Sequence, residues 1–167
     1  MHIVQAMSES EELSEDHIEY IVRREGDRLF RIAYAITASA ADAEDVVQDV
    51  FIKLMEKRPI FESAEHEIAW LTRVTVNASK NRVRSFWWRN REPLLDTYPA
   101  RNDNETEIMQ LVLSLPAKYR IVIHLYYYEG YTTKEIADIT RQSEASVRQQ
   151  LTRARQKLRK YLEGDVV

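Results

Sequence analysis

Cysteine is absent from the 167 residues, so neither a disulfide nor a thiolate metal site is available, as suits a reducing compartment. Glycine occurs three times and proline four, too little punctuation for the many tight turns of a sheet protein. No apolar run reaches the roughly 18 residues a membrane-spanning helix needs. The N-terminal stretch MHIVQAMSESEELSED is acidic, unlike the basic start of a targeting peptide. A cytoplasmic protein without direct membrane insertion is the expectation. The four histidines, His2, His17, His66 and His124, show no HExxH or paired ligand spacing, and the EHE at 65–67 reads as an exposed loop rather than a metal site. No glycine-rich phosphate loop or nucleophile elbow occurs. These absences predict no enzyme, no metal, no cofactor and no small-molecule substrate.

What the chain does have is helical period. Ile18, Ile21, Val22, Leu29, Ile32, Ala33 and Ile36 step by three and four, as do Val46, Val47, Val50, Phe51 and Leu54, which is the spacing of helices with one buried face. An all-α fold follows. Two prolines and a polar run in REPLLDTYPARNDNETE (91–107) break this pattern and read as a flexible linker, about 15 residues long. The organisation predicted is two small helical domains, 1–90 and 106–163, joined by a tether over 91–105.

The formal net charge is −3, but the charge is segregated. Residues 1–72 hold 16 acidic and 7 basic side chains, whereas 73–91 hold 6 basic and no acidic ones. Residues 92–140 are again acidic, 8 against 4, and 141–167 are basic, 7 against 3. Two basic segments in an acidic body suit a polyanion touched at two points, because each cation near a phosphate releases condensed counterions. Two solvated helix faces would have the same composition.

The segment YTTKEIADITRQSEASVRQQLTRARQKLRK (131–160) favours the first of these. Thr132 or Thr133 can cap a helix, with Glu135 or Glu129 near its positive end, and Ile136, Ala137 and Ile139 give it a buried side. A short polar turn, Thr140 to Ser143, precedes a second helix from about Glu144. There Val147, Leu151, Ala154 and Leu158 point inward, and Ser146, Arg148, Gln149, Arg153, Arg155 and Arg159 occupy the other faces. Long donors on such a helix suit phosphates and base edges, the arrangement of a helix-turn-helix entering a major groove. An ordinary helical hairpin with a charged outer face is the alternative.

These residues resemble region four of bacterial sigma factors, which LPAKYRIVIHLYYYEGYTTKEIADITRQSEASVRQQLTRARQKLRK fits from Leu115 onward. DAEDVVQDVFIKL (42–54) independently resembles sigma region 2.2, and AWLTRVTVNASKNRVRS (69–85) resembles regions 2.3 and 2.4. With only a short linker between the two blocks, the chain is similar to the extracytoplasmic-function (ECF) group. Two departures stand out: Arg141 is near the place where the turn usually holds glycine, and Ala145-Ser146 replace a Gly-Thr pair at the start of the recognition helix.

The resemblance implies an initiation factor that binds RNA polymerase core and reads −35 and −10 promoter elements. Asp42, Glu44, Asp45, Gln48 and Asp49 would dock on the β′ clamp helices, with the β flap a further polymerase contact. Ser143, Ser146, Arg148, Gln149, Arg153 and Arg155 would face the −35 element. Trp70, Arg73, Asn77, Lys80, Asn81 and Arg84 would serve the −10 element, with Asn77 in the pocket for a flipped base. The loop FESAEHEIA before Trp70 is where the family varies its base choice. A cognate anti-sigma factor is the further partner implied. Trp70 reads as core, Trp87 and Trp88 as wedges or linker packing, and Tyr126, Tyr127 and Tyr128 as core and interdomain packing with one ring available to a partner. A free-standing DNA-binding regulator or helical adaptor is the competing reading. The acidic 42–49 face beside basic 73–91 argues against it.

Overall fold

The computed structural model of the chain describes residues 13–89 and 103–164, and these contain helices and no strand. Three long helices come first: α1 (Glu15–Thr37), α2 (Ala40–Lys57) and α3 (Ala64–Arg89). A second group follows, α4 (Asp103–Leu113), α5 (Ala117–Ile123), a π-helical turn (His124–Tyr128), α6 (Thr133–Thr140) and α7 (Glu144–Leu162). The all-α, two-domain architecture expected from the spacing is the one observed. The linker residues 91–102 and the side chains of Trp87 and Trp88 lie outside the described part.

Helix starts follow local chemistry. Ser14, Ser39, Thr132 and Ser143 each sit in extended backbone as N-caps, and each side-chain oxygen accepts a bond from an N–H in the first turn, satisfying a donor the helix leaves open. At α6 the Glu135 carboxylate also accepts from Thr132 N–H at 2.7 Å, completing a capping box. The stops reflect the shortage of glycine: Ala38, Arg58 and Arg141 end α1, α2 and α6 in the left-handed region, with φ of 56°, 41° and 54°. Arg141 thus occupies the position where a glycine was expected in the turn.

Ile21, Leu29, Ile32 and Ile36 of α1 pack with Val46, Val50 and Leu54 of α2 and Leu71 and Val76 of α3, all buried. In the second group Leu115, Val122, Leu125, Ile136, Val147, Leu151 and Ala154 close the core. Each buried Leu, Ile or Val contributes about 1.5–3 kcal/mol against leaving it in water. The two groups also touch directly, α1 meeting α5 and the π-helical turn while α3 meets α6.

Two expectations are corrected. The EHE at 65–67 is the first turn of α3, which begins at Ala64, and Glu67 is buried. Its carboxylate accepts from Arg24 and lies 2.8 Å from His17 Nε2, so Glu67 ties α3 to α1. Tyr127 and Tyr128 are not core: they are 55% and 54% exposed, while Tyr126 is half-buried. The π-helical turn is the reason, since its wider i→i+5 spacing, visible in the bond from Glu129 N–H to His124 O at 3.1 Å, takes the following residues off the buried stripe.

Candidate polymerase and nucleic-acid interfaces

The acidic cluster lies on α2. Ala43, Val46 and Val50 are buried beneath it, which leaves Glu44, Asp45, Gln48 and Asp49 exposed and Asp42 half-buried. Ile52 and Met55 continue this outer side at helical steps from Gln48 and are 46% and 48% exposed. Apolar side chains among acids make a mixed face of the kind protein partners cover. The sequence reading missed these two, because Ile52 sits in the apolar run VFIKL.

Arg82 of α3 donates to Asp45 Oδ2 at 2.8 Å and approaches Asp42 Oδ1 at 3.7 Å. A basic residue of the 73–91 segment is thereby committed to the acidic face rather than left to nucleic acid.

Of the residues expected at the −10 element, Arg73, Asn77, Lys80 and Arg84 recur at steps of four, three and four along α3 and share one stripe, with Asn81 beside them. Arg73, Asn81 and Arg84 are exposed and Asn77 is half-buried. Trp70, one step of three before Arg73 on the same stripe, is half-buried and packs against the core, with its ring edge-on to Phe61 at 5.8 Å. Lys80 is also only half-buried, and its Nζ donates to Thr140 O at the end of α6 at 3.5 Å. Burial, then the charges of Arg84 and Arg141, push the Lys80 ammonium below its usual range.

The helix-turn-helix is α6, Arg141–Ser143 and α7. Ser143 caps α7 and donates to Ser146 Oγ at 3.0 Å, and Glu144 accepts from Thr133 at 2.8 Å and from Arg148 at 2.7 Å, so the turn is cross-linked to both helices. Val147, Leu151 and Ala154 are buried and Gln149 and Arg153 are exposed on the opposite side. Arg155 is not with them. At about 100° per residue it falls roughly 120° from Gln149, and its guanidinium lies 5.7 Å from the Tyr126 ring and donates to the Tyr127 hydroxyl at 2.7 Å.

Sequence reasoning also missed the charges between the domains. Arg28 of α1 donates to Glu25 Oε2 at 2.5 Å, to Thr72 Oγ1 at 3.0 Å and to Glu129 Oε2 at 3.1 Å. Burial opposes the charge on both carboxylates, yet the bonds and field of Arg28, with Arg24 at Glu25 and His124 at Glu129, hold both below the usual range. Among the described residues Arg120 has no carboxylate partner; it donates to Ala35 O at 2.9 Å, Ile36 O at 2.5 Å and Leu115 O at 2.8 Å, and burial pushes it down to about 10. A signal was present for the first cluster, because Glu25 interrupts the buried stripe Ile21, Leu29, Ile32. Among the described residues no group of acidic and histidine side chains is arranged to hold a metal ion, and no helix is long and apolar enough to cross a membrane.

Residues 21–89 match the family Sigma-70 region 2, and residues 105–158 match Sigma-70, region 4. The chain belongs to the sigma-70 family. It is 32% identical over 155 residues to the ECF RNA polymerase sigma factor SigE of Mycolicibacterium smegmatis, covering 85% of this chain and 60% of that protein. The chain therefore spans less than two thirds of that relative. With the ECF RNA polymerase sigma factor SigW of Bacillus subtilis it shares 26% identity over 81% of this chain and 83% of the other. The fold is that of the sigma factor RpoE in its complex with the anti-sigma factor NepR from Bartonella quintana, with a TM-score of 0.72, 22% identity and coverage of 92% of this chain and 100% of that one.

Proposed function

We propose that the chain is a promoter-specificity subunit: it binds RNA polymerase core, reads −35 and −10 elements and aids strand opening, and is not itself an enzyme. The observation that carries this reading is the pairing, in one small domain, of an exposed acidic and apolar face on α2 with a basic stripe on α3, beside a capped helix-turn-helix. A free-standing repressor needs only the last of these.

The roles divide by domain, residues 1–90 serving core binding and the −10 element, 91–105 the linker, and 106–163 the −35 element. Asp42, Glu44, Asp45, Gln48 and Asp49 meet the β′ clamp helices, and the second domain meets the β flap. Asn77, with two donors and an acceptor, reads an unstacked base, while Arg73, Lys80, Asn81 and Arg84 follow the strand backbone beside Trp70. Ser143, Ser146, Arg148, Gln149 and Arg153 face the −35 element. Arg155 joins them at a phosphate once it leaves the tyrosines. Activity is cytoplasmic, and a cognate anti-sigma factor is the expected inhibitor, in keeping with the Bartonella quintana relative solved with one.

Transcription in vitro tests the reading. The protein gives promoter-specific initiation only with added core enzyme. Operator protection by the protein alone at physiological salt, with no association with core, would remove it.

A further inference from the structure

Lys80 stands one turn before Arg84 on the same face of α3, and its Nζ donates at 3.5 Å to the carbonyl of Thr140, the residue before Arg141. Three cations therefore meet where α3 packs on α6. Among the described residues none of the three is paired with a carboxylate, unlike Arg82, which is bonded to Asp45. Arg84 and Arg141 are exposed, with their guanidinium forks unspent. Of the seven lysines in the chain, Lys80 is half-buried and the other six are exposed.

These surroundings act on the amine in opposite directions. The last carbonyl of α6 favours an ammonium, since helix C-termini attract cations, but at 3.5 Å the bond is long. Burial, then the charges of Arg84 and Arg141, favour the neutral amine. An amine set beside other cations is one way proteins make lysine a nucleophile near neutral pH. The two guanidiniums also choose the reagent. Planar forks hold phosphoryl oxygens in pairs, so they draw in a donor that carries a phosphate and stabilise that phosphate as charge builds on it during departure. A neutral donor gains nothing from them.

We infer that Lys80 is an acylation site, supplied without an enzyme by a small acyl phosphate held on Arg84 and Arg141. The Nζ lone pair attacks the carbonyl carbon and forms an amide bond. The bond from that carbon to the phosphate oxygen breaks, the oxygen keeps the electron pair, and the proton shed by the nitrogen goes to the departing phosphate. The product is a neutral amide, so the stripe on α3 loses one cation. The consequence rests on the sigma reading above: the modified chain grips the −10 strand less well, because one counterion fewer is released on binding.

The test treats the purified full chain with acetyl phosphate at neutral pH and reads the acetylation rate at each lysine by peptide mass spectrometry. Lys80 is modified at least threefold faster than any of the six exposed lysines, although it is the least accessible of them all. Arg84→Gln and Arg141→Gln each slow Lys80 at least threefold at unchanged helicity by circular dichroism, and leave the other lysines as they were. An N-hydroxysuccinimide ester of acetate, which carries no phosphate, separates the two roles of the arginines: the variants lose less with it, and inorganic phosphate inhibits the acetyl phosphate reaction at Lys80 but not the ester reaction. A Lys80 rate no higher than that of the exposed lysines, or one indifferent to both arginine variants, overturns the site. Equal losses with the two donors overturn the phosphate hold. The consequence is scored separately. With core enzyme added, the acetylated chain and Lys80→Gln both bind a single-stranded −10 oligonucleotide more weakly than the parent, and the slope of log affinity against log salt is shallower by about 0.7. Strand binding unchanged at full acetylation overturns the place of Lys80 on the strand, which belongs to the sigma reading, while the rates decide the acylation site by themselves.

Discussion

Arg82 on α3 lies 2.8 Å from Asp45 and 3.7 Å from Asp42 on α2, joining the basic segment of the first domain to its acidic face. The sides proposed to face polymerase and DNA are therefore neighbours, and a change on one is felt on the other unless the pair is weak. Arg82 is only partly buried and Asp45 is exposed, which places the pair at about 0–1 kcal/mol.

Asp45→Arg combined with Asp49→Arg tests the acidic face. Core binding collapses, because unpaired like charge buried at an interface costs several kcal/mol. The thermal midpoint moves by no more than about 2–4 °C, as a loss near 1 kcal/mol implies for a chain of this size. Retained core affinity in a pull-down would mean the face is only solvated.

Asn77→Ala spares core binding and closed-complex formation but slows strand opening, read as permanganate reactivity of thymines around −10. Unstacking a base costs a few kcal/mol that its pocket has to return. Melting at the parental rate on both duplex and pre-opened templates would take Asn77 out of the pocket.

Gln149→Ala and Arg155→Ala should part company. Gln149 stands opposite the buried side of α7, so its loss shifts −35 base preference by about 1–3 kcal/mol, seen in selection of bound promoters. Arg155→Ala weakens binding on all sequences and flattens its salt dependence. It also lowers the folding stability by about 0.5–1 kcal/mol, through the lost contact with Tyr126 and Tyr127. A changed base preference in Arg155→Ala would show that it reads a base edge.

Glu25 and Glu129 give the stability a defined acid limb. Both carboxyls are held below their ordinary value of 4.5 in the folded chain, so the unfolded chain takes up their protons first as the pH falls. Their contribution is complete above 4.5 and is lost as the pH falls through the lowered values. Urea midpoints of Glu129→Gln should therefore fall less steeply below that point than those of the parent. Identical acid limbs would show that Glu129 carries none of the effect.

Arg141→Gly should stabilise the helix-turn-helix. A non-glycine residue in the left-handed region costs about 1–2 kcal/mol, and glycine's extra freedom in the unfolded chain returns about 0.4–1 of that. The net gain is about 0.5 kcal/mol, read as a higher urea midpoint. A lower midpoint would mean that the Arg141 side chain contributes more than its backbone costs.

The helices were legible because their signals are local. Ser143 before Glu144, Thr132 before Glu135 and the stepped Val147, Leu151 and Ala154 are short-range patterns, and each survives into the structure as a cap or a buried side. The faces followed from the same periodicity, which is why Glu44, Asp45, Gln48 and Asp49 are exposed as a group. What stayed hidden depends on partners distant in sequence. Glu67 looked like part of a polar loop because its partners, Arg24 and His17, are 43 and 50 residues away. Arg155 shared a helix with Gln149, and nothing near it in the chain announces that Tyr127, 28 residues earlier, accepts a hydrogen bond from it. The apolar-looking run HLYYY gave no warning of a π-helical turn either, since the widening is a backbone choice and not a change of composition.

That turn fixes the phase of everything after it. A π turn holds one residue more than an α turn of the same rise, so deleting a single tyrosine from 126–128 would let the helix close as an ordinary one. The downstream residues would then keep their phase relative to α5, because the same full turn is made with one residue fewer. Wound as an ordinary α turn with no deletion, the same residues would carry Glu129 and Tyr131 about 100° away from Arg28 and Thr72, while Arg120, upstream of the turn, would keep its place on α1. The π widening at this one point, more than the identity of any side chain, sets the rotational register between the two domains.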